Sequence, residues 1–104
     1  MAETLNKVVL LATLTLASAV VAADDNARVQ EQYGKSCAVC HAAGAAGAPK
    51  TGVAAEWESR MAKGMEALVQ SVENGLNAMP PKGMCFDCSA EDYKALIKFM
   101  AEAK

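Results

Sequence analysis

The chain has 104 residues, with 10 lysines and arginines against 12 aspartates and glutamates and a single histidine. A mildly acidic chain of this length suffices for one small domain and lacks the excess of basic residues that nucleic-acid binding requires. Aromatic residues make up only 5% of it, so the protein alone offers little apolar mass for a core.

The N-terminal segment has the composition of a secretory signal peptide. A nearly unbroken apolar run over residues 8–21 follows a short polar start, and small residues precede Asp24. The run is shorter than the ~18 residues expected of a membrane span. We predict that residues 1–23 are cleaved and that residues 24–104 form a mature domain in the bacterial periplasm. Glu3 weakens the positive start, so an uncleaved anchor is the alternative.

The mature domain begins with a predicted helix. Asp24 or Asp25 supplies an N-cap, and the helix runs to about Cys37. Val29 and Tyr33 are four residues apart and therefore share one apolar face.

The motif Cys37-Ala38-Val39-Cys40-His41 indicates a covalently attached haem. Two thiols three positions apart can each form a thioether with one vinyl group of a single porphyrin. The next residue, His41, can then donate an imidazole nitrogen to the iron. Because His41 is the only histidine of the chain, no other imidazole competes for this role.

Three more helices are predicted after a glycine- and alanine-rich loop over residues 42–51. A short helix covers residues 53–61. Another follows Gly64 and ends at Gly75. The last begins in a capping box at Ser89, where aspartate replaces the usual glutamate, and carries one apolar stripe. No segment alternates with the period of a β-strand, so we predict an all-α fold.

Methionine is the favoured second axial ligand because its thioether is soft and neutral. Met65 and Met100 lie on predicted apolar helix faces, where packing explains them. Met79 instead follows a helix end and precedes two prolines, which restrict the backbone and can hold a thioether in place. We predict Met79 as the ligand, with Met84 and Met61 as alternatives.

These features together resemble the class I cytochromes c. Tyr33 lies one turn before the haem motif, and a Met-Pro loop and an amphipathic helix come late in the chain. More narrowly, the segment Gly75–Gly83, followed by Cys85 and Cys88, resembles the bacterial cytochrome c5 family. The similarity covers residues 33–100. It implies a small fold whose first and last helices cross beside one covalent haem c, with histidine and methionine as axial ligands.

The resemblance also implies that Pro49 offers its backbone carbonyl to the outer nitrogen of His41. Trp57 is a weaker candidate near the haem, either with its N–H on a propionate or as a core residue only. Three lysines flank the haem-bearing segments and either surround a docking edge or form ordinary solvated surface; they are Lys35, Lys50 and Lys82.

Cys85 and Cys88 form a second pair with haem-like spacing, but Ser89 stands where a histidine would be needed. A zinc site or a redox-active dithiol is possible for such a pair. Outside the cytoplasm two neighbouring thiols ordinarily form a disulfide, which the resemblance also implies. We predict a structural disulfide.

The resulting functional prediction is a periplasmic one-electron carrier of a bacterial respiratory chain, not an enzyme. With both axial positions filled, the iron cycles between Fe(II) and Fe(III) without an open site for substrate. By family analogy, its partners are a respiratory donor and a terminal oxidase or peroxidase. We expect no nucleic-acid partner and no stable membrane insertion after cleavage. The alternative is a haem-based sensor or a peroxidase-like enzyme with a displaceable methionine.

Overall fold

In a computed structural model the backbone is described for residues 17–104 and the side chains from Asp25 onward. Residues 1–16, and with them most of the predicted signal peptide, lie outside the described residues. No helix in the described part is long and apolar enough to cross a membrane.

The described chain is helical, with short irregular connections. Its α-helices are α1 (Ala17–Gln32), α2 (Ala38–His41), α3 (Ala54–Met61), α4 (Met65–Asn74) and α5 (Ala90–Ala101). A π-helical turn over Tyr33–Cys37 joins α1 to α2, and 3-10 turns cover Ala45–Gly47 and Pro81–Met84. No β-strand occurs within residues 17–104, which agrees with the all-α prediction.

The first helix differs from the prediction at both ends. In the uncleaved chain the helix already includes residues 17–23, so Asp24 and Asp25 lie inside it. The preceding residues are rich in alanine, the strongest helix former, and therefore continue the helix through the two aspartates. The N-cap was predicted for the domain that remains after cleavage, and for that domain it stays a prediction. At the other end the α-helix stops at Gln32, and a π-helical turn that ends at Cys37 follows it.

The later helices match their predicted positions because local residues determine their ends. Glycines with positive φ, Gly64 and Gly75, flank α4. At the start of α5 the Ser89 hydroxyl accepts from the backbone N–H of Asp92, whose carboxylate accepts from the N–H of Ser89 in return. This confirms the predicted capping box.

The hydrophobic core is built on the inner face of α5. Buried apolar side chains from four parts of the chain meet there: Trp57, Val69, Cys85, Tyr93, Leu96, Ile97 and Met100. Val29 and Tyr33 pack against this cluster, and the Tyr33 ring lies 5.1 Å from the ring of Phe99. The first and last helices therefore meet as the resemblance implied, with the π-helical turn and α2 beside them.

Candidate haem-binding site

A cavity lies between the segment that contains the Cys-x-x-Cys-His motif and the loop that contains Met79. The volume of the cavity is about 160 Å³. Its lining is mainly apolar and includes four of the predicted cofactor residues: Cys37, Cys40, His41 and Met79. Pro49, predicted to contact His41, lines it as well.

The two thiols of the motif are free and half-buried beside the cavity. Burial raises the pKa of the Cys37 thiol, and the Ser36 hydroxyl, 3.6 Å from the sulfur, partly opposes this shift. The Cys37 thiol therefore stays protonated at neutral pH. It is a neutral group at this pH and does not carry a buried negative charge.

His41 is buried, with 7% of its surface exposed, and its ring is held in one orientation. Its Nδ1 lies 2.8 Å from the backbone oxygen of Pro49. A carbonyl can only accept, so Nδ1 carries the proton and donates it. In the neutral form of the ring, this tautomer leaves the lone pair of Nε2 available for a metal.

Trp57 supports His41 from the core side. The two rings stack with centroids 5.5 Å apart and planes inclined by 28°. The indole N–H donates to the backbone oxygen of Lys50 at 2.9 Å. Because this carbonyl already accepts from the indole N–H, the contact favours the core interpretation of Trp57 over a hydrogen bond to a haem propionate. Trp57 is buried in the core and supports the site through His41.

The five methionines beyond the first residue separate into two groups. Met61, Met65 and Met100 pack in or against the hydrophobic core. Met79 and Met84 line the cavity. Met84 is 51% exposed, whereas Met79 is half-buried, so Met79 is the better placed of the two.

The Met79 loop is a tight turn. Backbone N–H and carbonyl groups of Leu76 and Met79 pair with each other at 3.0 and 2.8 Å, and Pro80 and Pro81 follow directly. Gly75 underlies this turn. A Cβ at that position would lie 3.0 Å from the Met79 carbonyl oxygen and from the Pro81 nitrogen. Any larger residue at this position would therefore require the Met79 loop to shift by a few tenths of an ångström.

Two residues of the cavity were missed by sequence reasoning. Ser36 is buried, lines the cavity and donates its hydroxyl to the Gln32 carbonyl at 2.6 Å. Arg60 is the only charged residue of the lining within the described part of the chain, and its Nη1 donates to the Glu56 carbonyl at 2.6 Å. The sequence could have indicated Arg60 through its position three residues after Trp57, because this spacing places both side chains on one side of α3.

Three apolar side chains of the cavity lining are exposed to solvent: Val39, Leu76 and Met84. The lysines suggested for docking, Lys35, Lys50 and Lys82, are all exposed. Lys35 lies 3.3 Å from a carboxylate oxygen of Glu31, an ion pair typical of solvated surface.

Cys85 and Cys88 are joined through their sulfurs, with Cα atoms 5.4 Å apart, inside the usual range of disulfides. The Tyr93 hydroxyl donates to the Cys85 carbonyl at 2.9 Å and ties this small loop to the core. In the described residues, Asp87 and these two cysteines are the only group of potential ligands close enough to share a metal ion. Sulfurs bonded to each other cannot serve as thiolate ligands, which disfavours the zinc interpretation.

Comparison with known proteins identifies the family. A family model described as "Cytochrome C oxidase, cbb3-type, subunit III" matches residues 24–100. Cytochrome c5 of Azotobacter vinelandii is 48% identical over 69 residues, which span 64% of this chain and 83% of that protein. The chain belongs to the cytochrome c5 family of class I cytochromes c.

Solved structures agree with this assignment. A mono-heme ferrocytochrome c from Shewanella putrefaciens is 59% identical, with a TM-score of 0.65 over 73% of this cytochrome and 94% of that chain. A cytochrome c in an electron transfer complex with nitrite reductase is 36% identical, with a TM-score of 0.63 over 69% and 88% of the two chains. This cytochrome therefore binds one covalent haem c and is an electron carrier, not an enzyme.

The residues present fit that cofactor. Paired free thiols, a buried imidazole with its outer nitrogen already bonded, and a half-buried thioether line one apolar cavity. This donor set is the one that histidine–methionine ligation of a covalently attached haem iron requires.

Proposed function

We propose that this cytochrome c5 homologue is a periplasmic one-electron carrier of a bacterial respiratory chain. In this proposal Cys37 and Cys40 hold the haem c, and His41 and Met79 are the axial ligands of its iron. When bound, the haem supplies an Fe(II)/Fe(III) couple that gains or loses one electron. The observation that carries the proposal is the hydrogen bond between His41 Nδ1 and the Pro49 oxygen, because it leaves Nε2 free to coordinate.

The attachment chemistry assigned to the two cysteines is a balanced addition. Each Sγ would form a bond to one carbon of a vinyl group, and the thiol proton would go to the other carbon. Two such bonds would hold the haem beside His41 in both oxidation states of its iron.

The ligand role assigned to Met79 rests on its backbone. The turn closed between Leu76 and Met79, together with the two prolines after it, leaves the thioether little freedom to lose on coordination. Firm ligation by His41 and Met79 would leave the iron no coordination position for a substrate, as an electron carrier requires.

Periplasmic location is part of the proposal, with cleavage after Ala23 to leave residues 24–104. The supporting features are the apolar leader, the haem attachment motif and the Cys85–Cys88 pair, all typical of exported proteins. In that compartment we propose that Cys85 and Cys88 form a structural disulfide.

The proposed partners are a respiratory donor and a terminal oxidase or peroxidase. The nitrite reductase complex of a similar cytochrome supports redox proteins as partners in general. The exposed Val39, Leu76 and Met84 of the cavity lining give such a partner an apolar contact area close to the haem site.

Spectroscopy of the haem-loaded protein tests the ligand set. Oxidised wild-type protein should be low-spin and show the weak near-infrared band of methionine sulfur on ferric iron. Met79→Ala should abolish this band, while Met84→Ala, altered in the same cavity, should retain it. The reverse pattern would assign the ligand to Met84. Release of free haem by acidic organic solvent would overturn covalent attachment.

A further inference from the structure

The peptide group between Pro49 and Lys50 is bonded at both of its ends. Its oxygen accepts from Nδ1 of His41 at 2.8 Å. Its N–H, which belongs to Lys50, donates to a carboxylate oxygen of Glu56 at 2.8 Å. A single planar amide therefore connects the carboxylate on α3 to the imidazole ring.

Neighbouring contacts hold this amide in place. The Trp57 indole donates to the carbonyl of Lys50 at 2.9 Å, directly after the connecting amide. One residue further on, the N–H of Thr51 donates to the His41 carbonyl at 2.8 Å, and its hydroxyl accepts from Tyr33 at 2.9 Å. The segment is irregular backbone, so these contacts replace the hydrogen bonds of a helix or strand.

The order of groups has an electronic consequence. A carboxylate that accepts from an amide N–H increases electron density on the carbonyl oxygen of the same amide, because successive hydrogen bonds polarise one another. A stronger acceptor at the Pro49 oxygen draws the Nδ1 proton of His41 away from the ring. The ring then becomes a more basic ligand, as it does when a carboxylate contacts a ligating histidine directly.

We propose that Glu56 is a positioning residue that tunes His41 through the Pro49–Lys50 amide. It increases the donor strength of His41 toward iron and so stabilises the ferric state and lowers the reduction potential. This inference rests on the proposed ligation by His41. It assigns to a half-buried glutamate a role in setting the reduction potential of the carrier.

The test compares three variants of the haem-loaded protein. Glu56→Ala removes both the charge and the acceptor. Glu56→Gln removes the charge but keeps an acceptor oxygen for the Lys50 N–H. Glu58→Ala makes the same charge change at an exposed position on the same helix.

Redox titration and NMR are the two measurements. At a fixed electrode potential, the ferrous-to-ferric ratio should be about threefold higher in Glu56→Ala than in Glu58→Ala. This corresponds to a reduction potential about 28 mV higher, at about 59 mV per tenfold change in the ratio. Glu56→Gln should fall between them. Exchange of the His41 Nδ1 proton with solvent should be fastest in Glu56→Ala and slower in Glu56→Gln.

Two results would overturn the inference. Equal potentials for Glu56→Ala and Glu56→Gln would reduce the effect to charge alone, and equality of Glu56→Ala with Glu58→Ala would remove it altogether. The wild-type NMR spectrum is measured first: absence of imidazole signals shifted by the iron would refute ligation by His41 itself. Failure of the proposed ligation is thus recognised separately from failure of the inference.

Discussion

Gly75 is the position at which the smallest change should have the clearest effect on the ligand loop. Its φ is 87° and its ψ is 157°, a region of the Ramachandran plot that is essentially restricted to glycine. A methyl group there would also lie 3.0 Å from two backbone atoms of the Met79 turn. Gly75→Ala therefore introduces both backbone strain and a steric contact.

The two effects have different sizes and different consequences. The strain should cost about 1–3 kcal/mol of unfolding free energy. For a domain of this length about 2 kcal/mol corresponds to a fall in Tm of roughly 8–16 °C. Relief of the contact requires the turn to retreat by a few tenths of an ångström. Such a displacement is large for a thioether that must stay at bonding distance from a metal.

Gly64 offers a matched control at the other end of α4. Its φ of 96° and ψ of 147° lie in the same region, but a Cβ there would meet no atom within 4 Å. Both alanine variants should lose similar stability in thermal unfolding. Only Gly75→Ala should weaken the near-infrared band and bind carbon monoxide faster when reduced. If the two variants keep the same band and the same carbon monoxide kinetics, the steric argument is refuted.

Further predictions concern the disulfide, the last helix and the iron. Replacing Cys85 and Cys88 with serine should leave the absorption spectrum and the reduction potential nearly unchanged. It should lower the free energy of unfolding, measured in urea, by at most about 2 kcal/mol, because the closed loop is short. Haem-loaded wild-type protein, unfolded without reductant, should show no titratable thiol. The hydrogen bond from the Ser89 backbone N–H lowers the pKa of the Asp92 carboxyl below its ordinary value of 3.8. The Asp92 carboxylate therefore stabilises the folded state above that pH. Asp92→Ala should therefore cost about 1 kcal/mol in unfolding at pH 7, and less as the pH falls below 3.8. Reduced wild-type protein should bind carbon monoxide slowly, and rapid binding would favour a sensor or an enzyme. Voltammetry should place its reduction potential above that of the standard hydrogen electrode.

Parts of the fold that depend on local chemistry were predictable from the sequence. The ends of α4 follow from glycines that tolerate positive φ, and the start of α5 follows from a side chain that bonds its own helix. The haem motif is equally local, since five consecutive residues contain it. Neighbouring residues alone are enough to determine these features, so no tertiary information was needed.

Other features depend on partners distant in the sequence. The indole N–H of Trp57 had several conceivable acceptors, and only folding brings the Lys50 carbonyl within 2.9 Å. The π-helical turn has no sequence pattern that distinguishes it from an α-helix. Arg60 lines the cavity because of the way α3 packs in the folded chain. The helical pattern alone showed only that Arg60 lies on the same side of α3 as Trp57.

The stacking of Trp57 on His41 also provides an optical probe of the haem site. The chain has one tryptophan and one histidine, and their rings lie 5.5 Å apart. A chromophore bound at that histidine would absorb the indole emission while the domain is folded. Unfolding would separate the indole from the cofactor and restore fluorescence, so the native population can be followed through a single intrinsic reporter without an added label.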